Sequence, residues 1–320
     1  MRFVRLALLA LLAVPVFLFA GLGVIAPLIG QFGRADLNAD ISNHFAPVWL
    51  AGSLGVLLSA AVFRDEARRL VLVVGALGVL LSGSLMLPEF LRPGGPKAAA
   101  STPGQLKIVQ LNVWHHNPDL GRAVDWLVAE DPDIVVAEET TPAFRALMAE
   151  RTDWHVTCPD CEVMIFSKRR PTGRSLQPPR GARHVPMAVA RFSDLAVVGV
   201  HYAWPTDAAD QQYQEARLAR VLDGVDRERA IVAGDLNSTP WSFSRRRWDE
   251  RFGLVRRTRA VFSWPARAQP RFPGVGLFPF LPIDHVYAGA GWATVAVERG
   301  PKVGSDHYPV VVTLAPAAPR

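Results

Sequence analysis

Apolar positions along the chain fall into two regimes. Up to residue 91 they come in long blocks; beyond residue 104 they come in short runs that end in polar side chains. Leu6–Ile29, Phe45–Phe63 and Leu70–Pro88 contain no charged residue. Each is close to the roughly 20 apolar residues that a helix needs to cross a bilayer. Glycines inside the second and third blocks suit close helix packing in lipid, and Trp49 stands near one end of the second, as an interfacial aromatic would. Arg2 and Arg5 ahead of the first block would suit a signal peptide, but the run is long for one and two more blocks follow. The pattern predicts a three-helix transmembrane region over residues 1–91.

Basic residues in the short flanks set the expected orientation. Arg2 and Arg5 precede the first span, and Arg64, Arg68 and Arg69 lie between the second and third. The first loop has Arg34 with Asp36 and Asp40. The N-terminus is therefore expected in the cytoplasm, and everything after the third span outside it. In a bacterium this means an inner-membrane protein with a periplasmic or extracellular domain. Residues 92–104, rich in Pro, Gly, Ala and Ser, read as a linker, and residues 105–316 as a folded domain.

Within that domain the runs Leu106–Val113, Asp133–Ala137, Glu162–Ser167, Ala188–Phe192, Ala196–His201, Ile231–Asp235, Ile283–Tyr287 and Pro309–Leu314 read as strands. Asp119 can cap a helix with Leu120, Val124, Leu127 and Val128 on one face, and Asp131-Pro132 ends it. A second helix carries Leu218, Val221, Leu222 and Val225. Strands alternating with helices predict an α/β domain with mixed sheets.

Charge narrows the partners only a little. The net +6 is shared between residues 1–100, with 8 basic and 5 acidic side chains, and residues 101–320, with 27 and 24. Neither part demands nucleic acid. Ser244–Arg271 holds nine arginines with aromatics between them. That segment suits a phosphate-rich or lipid-headgroup surface, and equally a solvated face with packed stems. Cys158 and Cys161 are too few for a structural zinc site; outside the cytoplasm they can pair or stay as thiols.

The chemistry gathers at the strand ends. Asn112, Glu139, His201, Asp235, Asn237, Asp284, Asp306 and His307 all sit at or beside one. Asp235 and Asn237 stand two apart, a spacing that in a strand points both to one side. Carboxylates hold a hard divalent cation, carboxamides orient oxygens, and histidines hold or protonate phosphate oxygens.

The segments LNVWHHN, PDIVVAEET, VVGVHYAWP, AGDLNSTPWS, PIDHVYA and GSDHYPVVVTL occur in this order. In that order they resemble the endonuclease/exonuclease/phosphatase superfamily, over about residues 105–315. The resemblance implies a four-layer sandwich of two mixed β-sheets flanked by helices. It also implies a Mg²⁺ site, with Mn²⁺ as a substitute, at Glu139 with Asn112 and Asp306. Asp235 would align or deprotonate the attacking water and Asn237 would orient it. His307 would contact the phosphoryl group, Asp284 would hold the His307 ring, and His201, supported by Glu162, would contact phosphate from the opposite side. The family usually has Gln before the metal-binding Glu, and Glu138 stands there in this chain; it would compete for the metal or add negative charge. Trp114 replaces a residue that is polar in several members.

The implied function is a membrane-anchored, Mg²⁺-dependent phosphoester hydrolase, phosphodiesterase or nuclease-like, working by in-line attack of water. Nucleic acid, a lipid headgroup or a sugar phosphate would be the substrate, the bilayer the other partner, and no obligate protein partner is implied. A basic groove would mark a nuclease; an apolar rim would mark a lipid-headgroup enzyme. The alternative from another class is a catalytically inactive, membrane-tethered binding or scaffolding protein on the same fold.

Overall fold

A computed structural model describes residues 2–173, 185–268 and 278–318. The chain divides into two compact units, Met1–Arg92 with Pro240–Arg246, and Pro93–Thr239 with Arg247–Arg320.

The first unit is helical: α1 (Arg2–Gln31), α2 (Leu37–Asp40), α3 (Ala46–Ser59) and α4 (Asp65–Leu91). Pro15–Arg34, Leu37–Ser59 and Asp65–Leu91 are long and apolar enough to cross a membrane. The helix of the second block stops at Ser59, so Ala60–Phe63, expected inside a span, form the turn to α4. Small residues let the helices close: a Cβ on Gly78 would lie 2.3 Å from Ser53 Oγ. Polarity is inverted relative to a water-soluble bundle. Asp40, Asn43, Ser53, Ser82 and Glu89 are buried, whereas Leu58 and Leu80 are largely exposed.

The second unit is built from two sheets. Its strands are β1 (Leu106–Asn112), β2 (Ile134–Glu138), β3 (His155–Thr157), β4 (Met164–Ser167), β5 (Met187–Arg191), β6 (Ala196–His201), β7 (Ala230–Asp235), β8 (Val255–Arg256), β9 (Asp284–Ala288), β10 (Trp292–Arg299) and β11 (Val310–Pro316). One sheet has the order β10-β11-β1-β2-β4-β3, the other β5-β6-β7-β9-β8. Both are mixed: β1 runs parallel to β2 and β6 to β7, while β11 and β9 run antiparallel to their neighbours. The helices are α5 (Leu120–Glu130), α6 (Pro142–Arg151), α7 (Ala208–Asp223) and α8 (Phe243–Phe252), the first turn of α8 belonging to the helical unit.

Strands covered on both faces read as unbroken apolar runs. In β1, Ile108 packs between the sheets with Val136, Val197 and Ile231, while Val109 and Leu111 pack outward with Leu127 and Phe144 of α5 and α6. On the far side, Val198 and Val232 pack with Leu218 and Leu222 of α7. The result is helix, sheet, sheet, helix. Gly199 permits the close approach of the sheets, since a Cβ there would lie 2.8 Å from Val136 and from Val163. Asp119 accepts from Arg122 N at the start of α5, and Asp131, left-handed at φ 51°, ends it.

Several elements escape the hydrophobic pattern. α6 carries apolar residues too sparsely to show a stripe, and β10 exposes its second half. The described part of the arginine-rich segment includes α8 and β8, and two of its arginines turn inward. Arg256 is buried on Asp249, at 2.9 and 3.0 Å, and Arg257 donates inward to the carbonyls of Ala288, Gly289 and Trp292.

Candidate active site

Strand register brings the polar ends together. His201 pairs with Asp235, and Asp235 with Asp284, in one row across β6, β7 and β9. In the other sheet Asn112 pairs with Glu138. Side chains from the two rows then meet. Asn112 Nδ2 donates to Glu139 Oε1 at 3.0 Å and to Asp235 Oδ2 at 3.1 Å. His307 Nε2 lies 3.7 Å from Asp235 Oδ2, and His201 Nε2 lies 3.8 Å from the same oxygen. Each imidazole is held from behind by a carboxylate: His307 Nδ1 by Asp284 Oδ2 at 2.8 Å, His201 Nδ1 by Glu162 Oε1 at 2.6 Å. Ser305 Oγ donates to Asn112 O at 2.6 Å and accepts from His307 N at 3.0 Å, tying the approach to β11 to the end of β1.

The backbone is strained where the site forms. Trp114, Glu139 and Asn237 have φ of 62°, 50° and 46°. Such left-handed residues, other than glycine, cost energy and persist where surrounding contacts hold them. For Glu139 the turn separates two adjacent carboxylates. Glu138 ends β2 fully buried, with Oε2 accepting from Gln110 Nε2 at 2.9 Å. Glu139 turns out of the strand toward Asn112 and His201. For Asn237 the turn replaces the two-residue strand spacing. β7 stops at Asp235, Asn237 N donates to Asp235 Oδ1 at 2.8 Å, and Asn237 Nδ2 donates to Tyr202 O at 2.9 Å.

The electrostatics follow from burial and these partners. Burial pushes Asp235 up, and the adjacent imidazoles pull against that, leaving it at about 6. Burial lowers His307, but Asp284 and Asp235 raise it well above its ordinary value. Asp284 is held low, because His307 outweighs the effect of burial. His201 is raised by Glu162, Asp235 and Glu139 against burial. Glu139 resists burial through its bonds from Asn112 and His115 and stays at about 2. Glu138 rises well above the usual carboxylate range, by burial and then by Asp284 and Asp235. Both causes disfavour negative charge on Glu138.

The expected donors fit a hard divalent cation by chemistry: carboxylates on Glu139, held at about 2, and on Asp306, with no thiolate. One potential ligand atom from each of Asp235, Asp284 and His307 also lies within 4.8 Å of the others, and Asp284 and His307 are bonded to each other there. Asn112, expected as an oxygen ligand, presents its NH₂ to the carboxylates while its Oδ1 accepts from Trp114 N at 2.9 Å. In this arrangement it is a clamp. Asp306 Oδ2 accepts from Trp264 Nε1 at 3.2 Å.

Two contributors are not singled out by strand ends. Gln110 Nε2 bridges Glu138 and Asp284, the latter at 2.7 Å; a glutamine inside the apolar run of β1 was the available signal. His115, which from sequence could join a site or be a surface or turn histidine, has Nδ1 2.5 Å from Glu139 Oε2. It stacks near His116, and Arg267 lies 4.8 Å over the Trp114 ring. His116 contacts no expected site residue among the described contacts, and His155 opens β3, away from these strand ends. His184 and Arg271 lie outside the described residues. Cys158 and Cys161 are paired as a disulfide, Cα–Cα 5.3 Å, immediately before Glu162.

Comparison with solved structures gives the same fold. An endonuclease/exonuclease/phosphatase family protein from Bacteroides thetaiotaomicron matches at TM-score 0.52 and 13% identity, covering 68% of this chain and 99% of its own. An endonuclease/exonuclease/phosphatase from Beutenbergia cavernae DSM 12333 matches at TM-score 0.47 and 22% identity, with 67% and 72% coverage. A humanised TDP2 of D. rerio carrying 14 mutations matches at TM-score 0.47 and 17% identity, with 66% and 98% coverage. No curated protein matches the chain. The model of the Endonuclease/Exonuclease/phosphatase family matches residues 109–307, which run from β1 to His307 and include every residue placed at the site above. The chain belongs to the endonuclease/exonuclease/phosphatase family.

Proposed function

We propose that this chain is a membrane-anchored, divalent-metal-dependent phosphoester hydrolase whose catalytic domain, residues 105–316, works outside the cytoplasm. Members of the family are typically metal-dependent phosphoester hydrolases. The observation that carries the reading is convergence. Asn112, Glu139, His201, Asp235, Asp284 and His307 come from five strand ends and one loop and meet within hydrogen-bond or ion-pair distance. The inactive-scaffold reading has no comparable support, since both carboxylate–histidine pairs are intact.

Glu139 and Asp306 are the carboxylates that would hold Mg²⁺, with Asn112 fixing Glu139. The bound cation would supply neutralisation of charge on the phosphoryl oxygens. Asp235, buried between two imidazoles and fixed by Asn237 N, is placed to orient a water and take its proton. His307, kept cationic by Asp284, stabilises charge on the phosphoryl group or protonates the leaving oxygen. His201 binds a phosphate oxygen from the other side.

Exposed aromatics support a lipid headgroup over nucleic acid. Trp204 and Phe278 are 61% and 79% exposed, and they lie on the segments that leave His201 and lead to Asp284. Two arginines of the basic segment, Arg256 and Arg257, face inward, which leaves fewer for a cationic groove. The buried polar and exposed leucine positions of the helical unit support lipid around it.

The test is hydrolysis of a panel by the full chain in detergent: phospholipid headgroups, nucleic acids, sugar phosphates and generic diesters, each with Mg²⁺, Mn²⁺ or chelator. Turnover of a phosphodiester lipid that stops with chelator is expected. Asp235→Ala and His307→Ala should each lose about 10²–10³ in kcat. Equal turnover in both variants would refute the site.

A further inference from the structure

The helix that follows the site loop begins against a carboxylate two hundred residues earlier in the chain. The first N–H groups of a helix have no partner within it. In α8 all of the first three are met. Arg245 N donates to Ser242 Oγ at 3.1 Å, Phe243 N to Asp40 Oδ1 at 2.8 Å and Ser244 N to Asp40 Oδ2 at 2.7 Å. Asp40 is 2% exposed and lies within Leu37–Ser59, one of the stretches apolar enough to cross a membrane. A buried carboxylate in such a stretch is costly unless it is partnered. Two peptide N–H groups at the positive end of a helix are a strong partner.

The surroundings are shaped for this contact. Asn43 Nδ2 donates to Asp40 Oδ1 at 2.7 Å and to Gly30 O at 3.0 Å. A Cβ on Gly33 would lie 2.7 Å from Asp40 Cα, so the chain there closes on Asp40 only with glycine. Trp241, fully buried, donates Nε1 to His44 O at 3.3 Å. The Phe243 ring has the guanidinium groups of Arg34 and Arg246 at 5.0 and 5.3 Å, and Arg246 also donates to Leu85 O.

We infer that residues 240–246 are a strap held by the helical unit, and that Asp40 is a positioning residue for the Asp235–Asn237 turn. Only Ser238 and Thr239 separate that turn from the strap. The positioning half of this inference rests on the hydrolase reading; the strap itself does not.

The test uses the full chain in detergent micelles or nanodiscs, with Asp40→Ala, Asp40→Asn and Trp241→Phe. Amide exchange at Phe243 and Ser244 should speed up about tenfold in Asp40→Ala, with Ile231–Ala233 unchanged. On the substrate identified above, kcat should fall about three- to tenfold at constant KM, and Asp40→Asn, which keeps one acceptor oxygen, should recover part of both. If Asp40→Ala does not fold, Trp241→Phe decides, with faster exchange expected across residues 241–244. Wild-type exchange rates in every folded variant would overturn the strap. Faster exchange with unchanged kcat would overturn the positioning role. A wild-type chain that hydrolyses nothing would sink the hydrolase reading, while the exchange arm would still decide the strap.

Discussion

Burial pushes Glu138 well above the usual carboxylate range, while hydrogen bonds hold its neighbour Glu139 at about 2. Two adjacent glutamates are thereby assigned opposite jobs, and the assignment is testable. Glu138→Gln keeps an oxygen to accept from Gln110 Nε2, so kcat should stay within about threefold, whereas Glu139→Gln should lose about 10²–10³. Stability should separate them too. A carboxyl whose folded pKa is raised binds more protons folded than unfolded above its ordinary value of 4.5, so its penalty is absent below 4.5 and grows as pH rises. Glu138→Gln should remove that penalty, raising the Tm at neutral and alkaline pH and leaving it unchanged at pH 4. For His307 the sign is opposite. Its folded pKa is raised, so its contribution is full below 6.5 and is lost as pH climbs through the folded value. Asp284→Asn removes the chief cause of the rise. The His307 ring signal in NMR should then titrate at lower pH, and the alkaline limb of the pH–rate profile should move the same way.

At the scale of elements, the strands do the placing and close packing limits their tolerance. Gly234 is the penultimate residue of β7, and a Cβ there would lie 1.9 Å from Val200 O on β6. Gly234→Ala should force β6 and β7 apart, lower the Tm by about 5–10 °C and disturb the His201–Asp235 row; differential scanning calorimetry and kcat read the two effects. Runs such as AVVGVH and IVAGD showed this layer directly in sequence, because a strand covered on both faces is apolar until it emerges, and the first polar residue marks the end. What happens one residue later was not legible. The left-handed turns at Glu139 and Asn237 carry no compositional mark, since both residues are ordinary in loops and the turn is imposed by tertiary contacts. Gln110 was hidden differently: a polar residue inside an apolar strand tells that a partner exists and not that the partners are Glu138 and Asp284. β10 was missed because its charged second half is exposed and its first half is short.

At the scale of the molecule, the flanking arginines and the strap each carry a consequence. Asp40 and His44 lie near the start of the second candidate span, Leu37–Ser59, and residues 240–246 reach both, through Phe243 N and the Trp241 indole. The positive flanks predict the first loop and everything after the third span on the outer side. Reporter fusions after residue 100 should be active only with periplasmic-type reporters, and a fusion after Asp36 should agree with them. The strap also leaves the helical unit discontinuous in sequence, with its last piece at Pro240–Arg246. On the ribosome, that piece emerges roughly 150 residues after α4, a delay of about 8–30 s at ordinary elongation rates. Throughout that interval Asp40 waits without its peptide donors, so the nascent helices are a half-finished socket. Chains stalled before residue 240 should be the ones that quality-control proteases remove.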